Sequence, residues 1–347
     1  DAGDYSGYSV STAGDVNGDG YDDILVGAVG GDPGGDSNAG ETYVVFGSGS
    51  GFAASLDLST LDGSNGFRLD GIDASDYSGQ SVSTAGDING DGIDDILVGA
   101  TNGGRANNSN IDAGETYVVF GSSEGFSATL DLATLDGVNG FRLEGVGAGN
   151  KTGCSVSTAG DFNGDGFDDI LIGDRWADPG SKSDAGATYV VFGSGSEFEA
   201  SLDLSTLDGT NGFRLDGIDA EDETGFSVST AGDFNGDGYD DILLGAPKGD
   251  QGAAKSVGET YLVFGSAGGF AASLNLDTLD GNNGFRLDGV YANDLTGVSV
   301  SSAGDINGDG FDDVLVSAMG VAQYSGAIYV VLGGDHGGTV THSGTSA

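Results

Sequence analysis

Cysteine, proline and basic residues are scarce in this chain of 347 residues, and each scarcity excludes a class of protein. The single cysteine, Cys154, cannot form an intrachain disulfide, so packing and bound ions would have to supply stability in an oxidising environment. The chain has 3 prolines and 69 glycines, which excludes collagen and proline-rich linkers and indicates many tight turns. Its 10 basic and 55 acidic residues give a net charge of −45, which argues against nucleic acid and anionic membrane surfaces as partners.

Membrane-length apolar runs and enzyme signatures are missing as well. No apolar run approaches the ~20 residues of a membrane span, so we expect no membrane insertion. The two histidines, His336 and His342, lie in a tail rich in Gly, Thr and Ser (336–347), and the chain has no nucleophile elbow, phosphate loop or His-rich metal site. Paired acids such as Asp22 and Asp23 resemble a glycosidase pair, but they belong to a recurring loop. We predict that the chain is not an enzyme.

One nine-residue pattern recurs through the whole chain. It reads DVNGDGYDD in its first copy, and its five copies lie at 15–23, 87–95, 161–169, 233–241 and 305–313. The copies begin 72, 74, 72 and 72 residues apart, which defines five repeats. We predict that 1–335 form a single domain of five repeats, followed by the tail at 336–347. Because the chain starts inside a repeat and without Met, we expect it to be a mature or excised portion of a longer protein.

Each repeat contains four strand signals separated by Gly, Asp and Asn turns. In the first repeat they lie at 9–15, 23–28, 42–47 and 67–71, and the second is apolar throughout, as in a strand covered on both faces. A further stretch of period two, 56–63, adds an outer ribbon or packs as an ordered loop. No segment has sustained helical periodicity. We therefore predict an all-β propeller of five four-stranded antiparallel blades, with a linear β-solenoid as the alternative.

The recurring loop offers oxygen atoms at alternate positions. Its side chains at positions 1, 3, 5 and 9 and its carbonyl at position 7 suit Ca²⁺ better than Zn²⁺ or Mg²⁺. An EF-hand is excluded because position 12 lacks its Glu, so position 9 has to close the site. The predicted ligands are Asp15, Asn17, Asp19, Tyr21 and Asp23; Asp87, Asn89, Asp91, Ile93 and Asp95; Asp161, Asn163, Asp165, Phe167 and Asp169; Asp233, Asn235, Asp237, Tyr239 and Asp241; and Asp305, Asn307, Asp309, Phe311 and Asp313.

The alternative is that these loops are ordinary β-turns with solvated acids. Five copies with every ligand position intact favour metal binding, and three clustered carboxylates would repel one another without a cation. We predict about five Ca²⁺ ions in a structural role, linking neighbouring strands of each blade. Such a requirement indicates a place where calcium is abundant, outside the cell or on its surface.

The repeat resembles the FG-GAP repeat of the integrin α-chain propeller and of large bacterial surface proteins. The nonapeptide, the upstream Gly7-Tyr8-Ser9-Val10 and the downstream Gly27-Ala28 are the residues that show it. The resemblance implies a calcium-binding propeller. It departs in blade number, since integrin propellers have seven blades and five repeats are present here. No integrin ligand-contact residue can be transferred.

Partner contacts are expected at the loops between the second and third strands. Topology places these loops on the face opposite the calcium turns, and they differ most among the repeats. They contain the only Trp together with basic side chains, which on an acidic body favours a protein or glycan contact. The candidate contacts are Arg105, Arg175, Trp176, Lys182 and Lys248. The alternative is that these are unconstrained surface loops. A second basic set, Arg68, Arg142, Arg214 and Arg286, recurs within FRL and is expected to pair with neighbouring acids.

Three functional classes follow: an adhesion or interaction module, a structural surface-layer or filament component, and a noncatalytic propeller of a larger secreted enzyme. The fifth repeat bears on the second class, because too few residues follow Leu332 to supply its fourth strand. Residues 339–343 could substitute, or a strand from upstream sequence or a neighbouring molecule could add to the open edge. A neighbouring molecule would permit self-association.

Overall fold

The structure of the protein is a computed structural model that describes residues 3–104, 112–252, 254–321 and 325–335. The chain divides into two compact units, one formed by 1–157 with 193–206 and the other by 158–192 with 207–347. The predicted residues 336–347, including the substitute strand at 339–343, lie outside the described residues.

The first unit contains two antiparallel sheets, each extended at its outer edge by a short strand from the following repeat. The first sheet consists, in spatial order, of β1 (Ser9–Gly14), β2 (Asp23–Ala28), β3 (Glu41–Val45), β4 (Gly66–Asp70) and β8 (Thr129–Asp131). The second consists of β5 (Ser78–Gly86), β6 (Asp95–Ala100), β7 (Glu115–Val119), β9 (Gly140–Glu144) and β13 (Ser201–Asp203).

The second unit contains the remaining sheets, except that the first three residues of their first strand, 155–157, are assigned to the first unit. The third sheet consists of β10 (Ser155–Gly160), β11 (Asp169–Asp174), β12 (Ala187–Val191), β14 (Gly212–Asp216) and β18 (Ser273–Asn275). The fourth consists of β15 (Ser227–Gly232), β16 (Asp241–Ala246), β17 (Glu259–Val263) and β19 (Gly284–Asp288). The fifth consists of β20 (Thr296–Gly304), β21 (Asp313–Ala318) and β22 (Ala327–Val331).

Five sheets from five repeats confirm the all-β propeller class, but the prediction of four strands in every blade was wrong. The period-two stretch of a repeat becomes a ribbon strand that pairs in parallel with the fourth strand of the preceding blade, as Thr129–Asp131 does with Arg68, Leu69 and Asp70. The same parallel pairing joins β13 to β9 and β18 to β14. The first three sheets therefore have five strands, while the fifth has three among the described residues.

Neighbouring blades pack face to face, because the strands present apolar side chains on both faces of each sheet. In the first unit, Leu25, Val44 and Phe67 of the first sheet belong to the same core as Val98 and Tyr117 of the second. Equivalent cores join the third sheet to the fourth and the fourth to the fifth. Burying each such side chain contributes about 1.5–3 kcal/mol.

Short 3₁₀ turns follow the strands, and none is long. They lie at Pro33–Gly35, Leu58–Thr60, Leu132–Thr134, Pro179–Ser181, Leu204–Thr206 and Leu276–Thr278. Those after the ribbons are capped by the residue that ends the ribbon, for example by Asp131, whose carboxylate accepts the Ala133 N–H at 2.9 Å. Within the residues that the structure describes, no helix has the length and apolar character needed to cross a membrane.

Candidate metal centres

Four of the recurring loops start at a bulge between the first two strands of their sheet. In the first sheet the pairing register of β1 and β2 shifts between Thr12 and Gly14, where φ of Gly14 is +73°. The same shift is present in the second, fourth and fifth sheets. The bulge turns the chain out of the sheet and into the loop.

The side chains at positions 1, 3 and 5 accept hydrogen bonds from backbone N–H groups of their own loop. In the second loop, Asp87 accepts the N–H groups of Gly90 (2.8 Å) and Asp91 (3.0 Å) on one carboxylate oxygen and that of Gly92 (2.9 Å) on the other. Asn89 accepts the Asp91 N–H at 2.9 Å, and Asp91 accepts the Ile93 N–H at 3.0 Å. The pattern recurs in the other loops, so the sequence encodes one loop shape five times.

The position-9 aspartate joins the start of the loop to the end of the third strand. Asp95 is fully buried, and its two oxygens accept the N–H groups of Ile88 (3.1 Å) and Gly121 (2.8 Å). Asp23 makes the same bonds to Val16 and Gly47. Burial raises the pKa of Asp95 to about 8 and that of Asp23 to about 6, helped by the other acids of each loop.

The donor chemistry of the loop fits calcium, since it consists of carboxylate, amide and carbonyl oxygens. Among the described residues, however, no three His, Cys, Asp or Glu side chains converge closely enough to hold a metal. In the third and fourth loops the asparagine amide donates to the position-5 carboxylate at 3.0 Å (Asn163 to Asp165, Asn235 to Asp237). The predicted ligands thus share a loop whose carboxylates hold the backbone.

The position-8 aspartate has a role that the sequence did not reveal. Asp94 of the second loop accepts the N–H of Asp15, the first residue of the preceding loop, at 2.8 Å. Asp240 accepts from Asp161 at 2.9 Å, and Asp312 accepts from Asp233 at 3.0 Å. A hydrogen bond therefore joins each of these neighbouring loop pairs, and its donor is the backbone of position 1, a predicted ligand position. The signal in the sequence was the first Asp of every DD pair.

At the opposite end of the sheet, acids surround the recurring arginine. Arg68 bridges Glu41 (3.1 Å) and Asp70, and the Tyr43 hydroxyl donates to Glu41 at 2.6 Å. Arg142 bridges Glu115 and Glu144, and Arg286 bridges Glu259 and Asp288. These contacts confirm that the FRL arginines pair with neighbouring acids.

The third sheet obtains the same charges from a different strand. Its third strand has Ala187 where those of the first, second and fourth sheets have Glu, and its second strand has Asp174 where the others have Ala. Asp174 and Ala187 are cross-strand partners, as are Ala28 and Glu41. Asp174 is fully buried. Burial raises the pKa of Tyr189 and the hydrogen bond to Asp216 raises that of Arg214, and the charge of Asp174 adds to both shifts. One acid has moved across the strand pair while the Arg–Tyr cluster stays.

The loops on this end lie beside the turns that connect one repeat to the next. The Tyr77 N–H donates to the Asn38 carbonyl at 3.1 Å, and the Asn102 N–H donates to the Asp76 carbonyl at 3.2 Å. Asp76 is buried here, and burial together with Glu115 raises its pKa to about 7. Asp222 has the equivalent surroundings beside Glu259, with its pKa also about 7.

The candidate partner contacts have intramolecular neighbours. The Arg175 guanidinium lies 4.5 Å from the ring centroid of Trp176 and 4.9 Å from that of Phe226. Lys182 donates to the Ile218 carbonyl, and Lys248 pairs with Glu223 at 2.7 Å. Arg105 lies outside the described residues. A role of these side chains in binding a partner stays a prediction.

The chain belongs to the FG-GAP repeat family, which matches residues 6–45, 78–119, 155–191, 224–263 and 296–331. Integrin alpha-5 of Xenopus laevis is 30% identical to it over 250 residues, which are 71% of this chain and 20% of that protein. Integrin alpha pat-2 of Caenorhabditis elegans is 31% identical over 252 residues, or 71% of this chain and 18% of that protein. The chain thus spans about a fifth of these relatives.

A relative of another kind has a similar stretch. Phosphatidylinositol-glycan-specific phospholipase D of Dictyostelium discoideum is 26% identical over 321 residues, which are 88% of this chain and 31% of that protein. Similar stretches therefore occur in proteins with different names and different lengths.

Proposed function

We propose that this chain is an extracellular or cell-surface calcium-binding module for adhesion, which binds a protein or glycan ligand and uses calcium structurally. The observation that supports it is the loop with one oxygen donor set and one backbone shape in five repeats of integrin type. The ions would be held by the side chains at positions 1, 3, 5 and 9 and the carbonyl at position 7. A bound ion supplies positive charge that offsets the repulsion among three carboxylates.

The residues of the loop place this charge at a strand junction. Positions 1, 3 and 5 fold the loop backbone, and position 9 joins it to the third strand, as Asp95 does through Ile88 and Gly121. A calcium ion bound there would stabilise the strands on both sides of the loop. If each site were filled at about 100 times its dissociation constant, it would add about 2.7 kcal/mol to the free energy of unfolding.

Thermal unfolding with and without calcium tests this proposal. We expect the unfolding temperature to be far higher in millimolar CaCl₂ than in chelator, and Asp91→Ala to remove part of the difference. Asp36→Ala is the matched control, since it removes an exposed acid outside the loops. Equal unfolding temperatures in both solutions, with no calcium uptake by calorimetry, would show that the loops are plain turns.

The ligand would bind on the face opposite the calcium loops, where the second-to-third strand loops lie. Trp176 and Arg175 form a half-buried stack there. Lys182 lies on the same loop, and Lys248 lies on the equivalent loop of the next repeat. Glycan and protein arrays probed with the natural chain and with Trp176→Ala test this face. Loss of array binding in the variant, with unchanged unfolding, is the expected result, and unchanged binding would remove Trp176 from the interface.

A noncatalytic part of a larger secreted enzyme is a second candidate. The match to a protein named as a phospholipase, over 88% of this chain, favours it. The full reading frame that encodes the chain tests this candidate, because a neighbouring catalytic domain would support it.

Self-association through the open edge of the fifth sheet is a third candidate. Strand β3 pairs on both sides, whereas among the described residues β22 pairs with β21 alone. Ile328 and Val330 on β22 are 71% and 44% exposed, whereas Thr42 and Val44 at the same positions of β3 are fully buried. Light scattering should show calcium-dependent growth that a peptide of sequence NNGFRLDGV, copied from 282–290, inhibits. A monodisperse monomer at all calcium concentrations would exclude this candidate.

A further inference from the structure

Neighbouring calcium loops are connected by a short bonded path. The Asp94 carboxylate accepts the N–H of Asp15, and the Asp94 N–H donates to the Asp15 carbonyl at 3.4 Å. Asp312 and Asp233 have the same pair of bonds, at 3.0 and 3.2 Å. In both pairs, the position-8 residue is therefore hydrogen-bonded to the backbone N–H and to the backbone carbonyl of the position-1 residue.

The two ends of this path are predicted calcium ligands. Asp94 lies between Ile93 and Asp95, which would hold the ion of the second loop through a carbonyl and a carboxylate. Asp15, at the other end, would hold the ion of the first loop. Fixing Ile93 and Asp95 therefore fixes the backbone at Asp94, and through the Asp94 carboxylate it fixes Asp15.

A second contact runs alongside the first. The position-7 side chain of one loop covers the position-4 glycine of the loop before it. A Cβ added to Gly164 would lie 2.2 Å from the Tyr239 ring, and one added to Gly236 would lie 2.3 Å from the Phe311 ring. The loops are therefore packed as well as hydrogen-bonded, so a shift in one displaces its neighbour.

We propose that Asp94, Asp240 and Asp312 are positioning residues that couple neighbouring calcium sites, so that an ion in one loop raises the affinity of the next. The inference rests on the calcium-binding function proposed above. Because coupling between binding sites is reciprocal, each loop of a pair gains the same factor from the other. In the first unit the bonds join the first and second loops, and in the second unit they join the third, fourth and fifth.

Nuclear magnetic resonance with CaCl₂ alone can read one loop at a time. The amide resonance of Gly20 reports the first loop, and Asp91→Ala disables the second. We expect Asp91→Ala to raise the calcium midpoint of Gly20 by about fivefold or more, in the range typical of coupled sites. Once Asp94→Ala has broken the connection, Asp91→Ala should have no further effect. The Gly20 calcium midpoint should therefore be the same in the Asp94→Ala chain and in the chain with both substitutions.

Two variants separate positioning from loss of charge. Asp94→Asn keeps an oxygen that can accept the Asp15 N–H, so it should retain the coupling. Asp22→Ala removes the position-8 acid of the first loop, which accepts no N–H from another loop among the described residues, and should also retain it. Where Asp94→Ala prevents folding, Gly14→Ala replaces it, because its Cβ would lie 2.2 Å from the Asp94 carboxylate. Gly304→Ala is its control, with a similar positive φ and no atom within 4 Å.

The outcomes distinguish this inference from the calcium proposal. Two results overturn the coupling alone. In one, Asp91→Ala leaves the Gly20 calcium midpoint unchanged; in the other, it shifts that midpoint by the same factor in the natural chain and in the Asp94→Ala chain. A chain that takes up no calcium at either loop overturns the proposed function and the coupling together. Loss of coupling in Asp94→Ala and its retention in Asp94→Asn would establish the positioning role.

Discussion

Phe126 stacks on Phe67 of the preceding repeat, with ring centroids 4.1 Å apart and planes 8° from parallel. Phe198 stacks on Phe141 and Phe270 on Phe213 in the same way. Each stack lies where a ribbon leaves its own repeat and joins the blade before it. The equivalent residue of the first repeat, Phe52, is 68% exposed.

This difference predicts unequal effects of the same substitution. Phe126→Ala should lower the free energy of unfolding by about 2 kcal/mol or more, because it removes a stacked ring and leaves a cavity. Phe52→Ala should change it by no more than about 0.5 kcal/mol, as expected of an exposed side chain. Denaturant unfolding of both variants measures the two values. Equal losses would mean that the ribbon stack does not stabilise the blade pair.

The position-9 aspartate should stabilise the chain with or without calcium, whereas the position-5 aspartate should stabilise it mainly when calcium is bound. Asp95→Ala leaves the buried N–H groups of Ile88 and Gly121 without acceptors, so we expect a loss of about 2 kcal/mol or more even in chelator. Asp91→Ala should cost less than about 1 kcal/mol in chelator, since Asp91 is exposed, and should weaken the response to calcium. Unfolding curves with and without calcium separate the two. A strong loss in chelator from Asp91→Ala would contradict this division.

The displaced acid of the third sheet predicts a rescue. Asp174→Ala should destabilise the chain by about 1–3 kcal/mol, because Arg214 and Tyr189 lose a buried charge neighbour. Adding Ala187→Glu should recover most of the loss by restoring the arrangement of Glu41, Arg68 and Tyr43. A double-mutant cycle measures the coupling energy. Additive losses would show that the two positions are independent.

Asp76 predicts a stability that falls as pH rises. Its pKa is near 3.8 in the unfolded chain and about 7 in the folded one, so between these values the folded state alone keeps the proton. Stability therefore declines from about pH 4 to about pH 7. At about 1.4 kcal/mol for each pKa unit, Asp76→Asn should add about 2 kcal/mol or more at pH 8 and little at pH 4. The exposed Asp73→Asn is the control, and an equal gain at both pH values would contradict the assignment.

The repeat pattern predicted the strands and loops because both lie within one period. Contacts between repeats were harder to predict, since identical copies give the same pattern whether a segment pairs with its own blade or with its neighbour's. The ribbon at Thr129–Asp131 was therefore left open, and the bond from Asp15 to Asp94 was missed. The exchange of Glu for Asp174 was hidden because its compensation lies across a strand pair. The single domain at 1–335 and the metal ligands stay predictions.

The parallel ribbon gives the protein a property at the level of its gene. Since each ribbon joins an equivalent fourth strand, duplication or loss of about 72 codons in phase would place every ribbon beside the partner it already fits. Recombination between the repeats would thus lengthen or shorten such a protein while keeping the pairing of each remaining ribbon with a fourth strand.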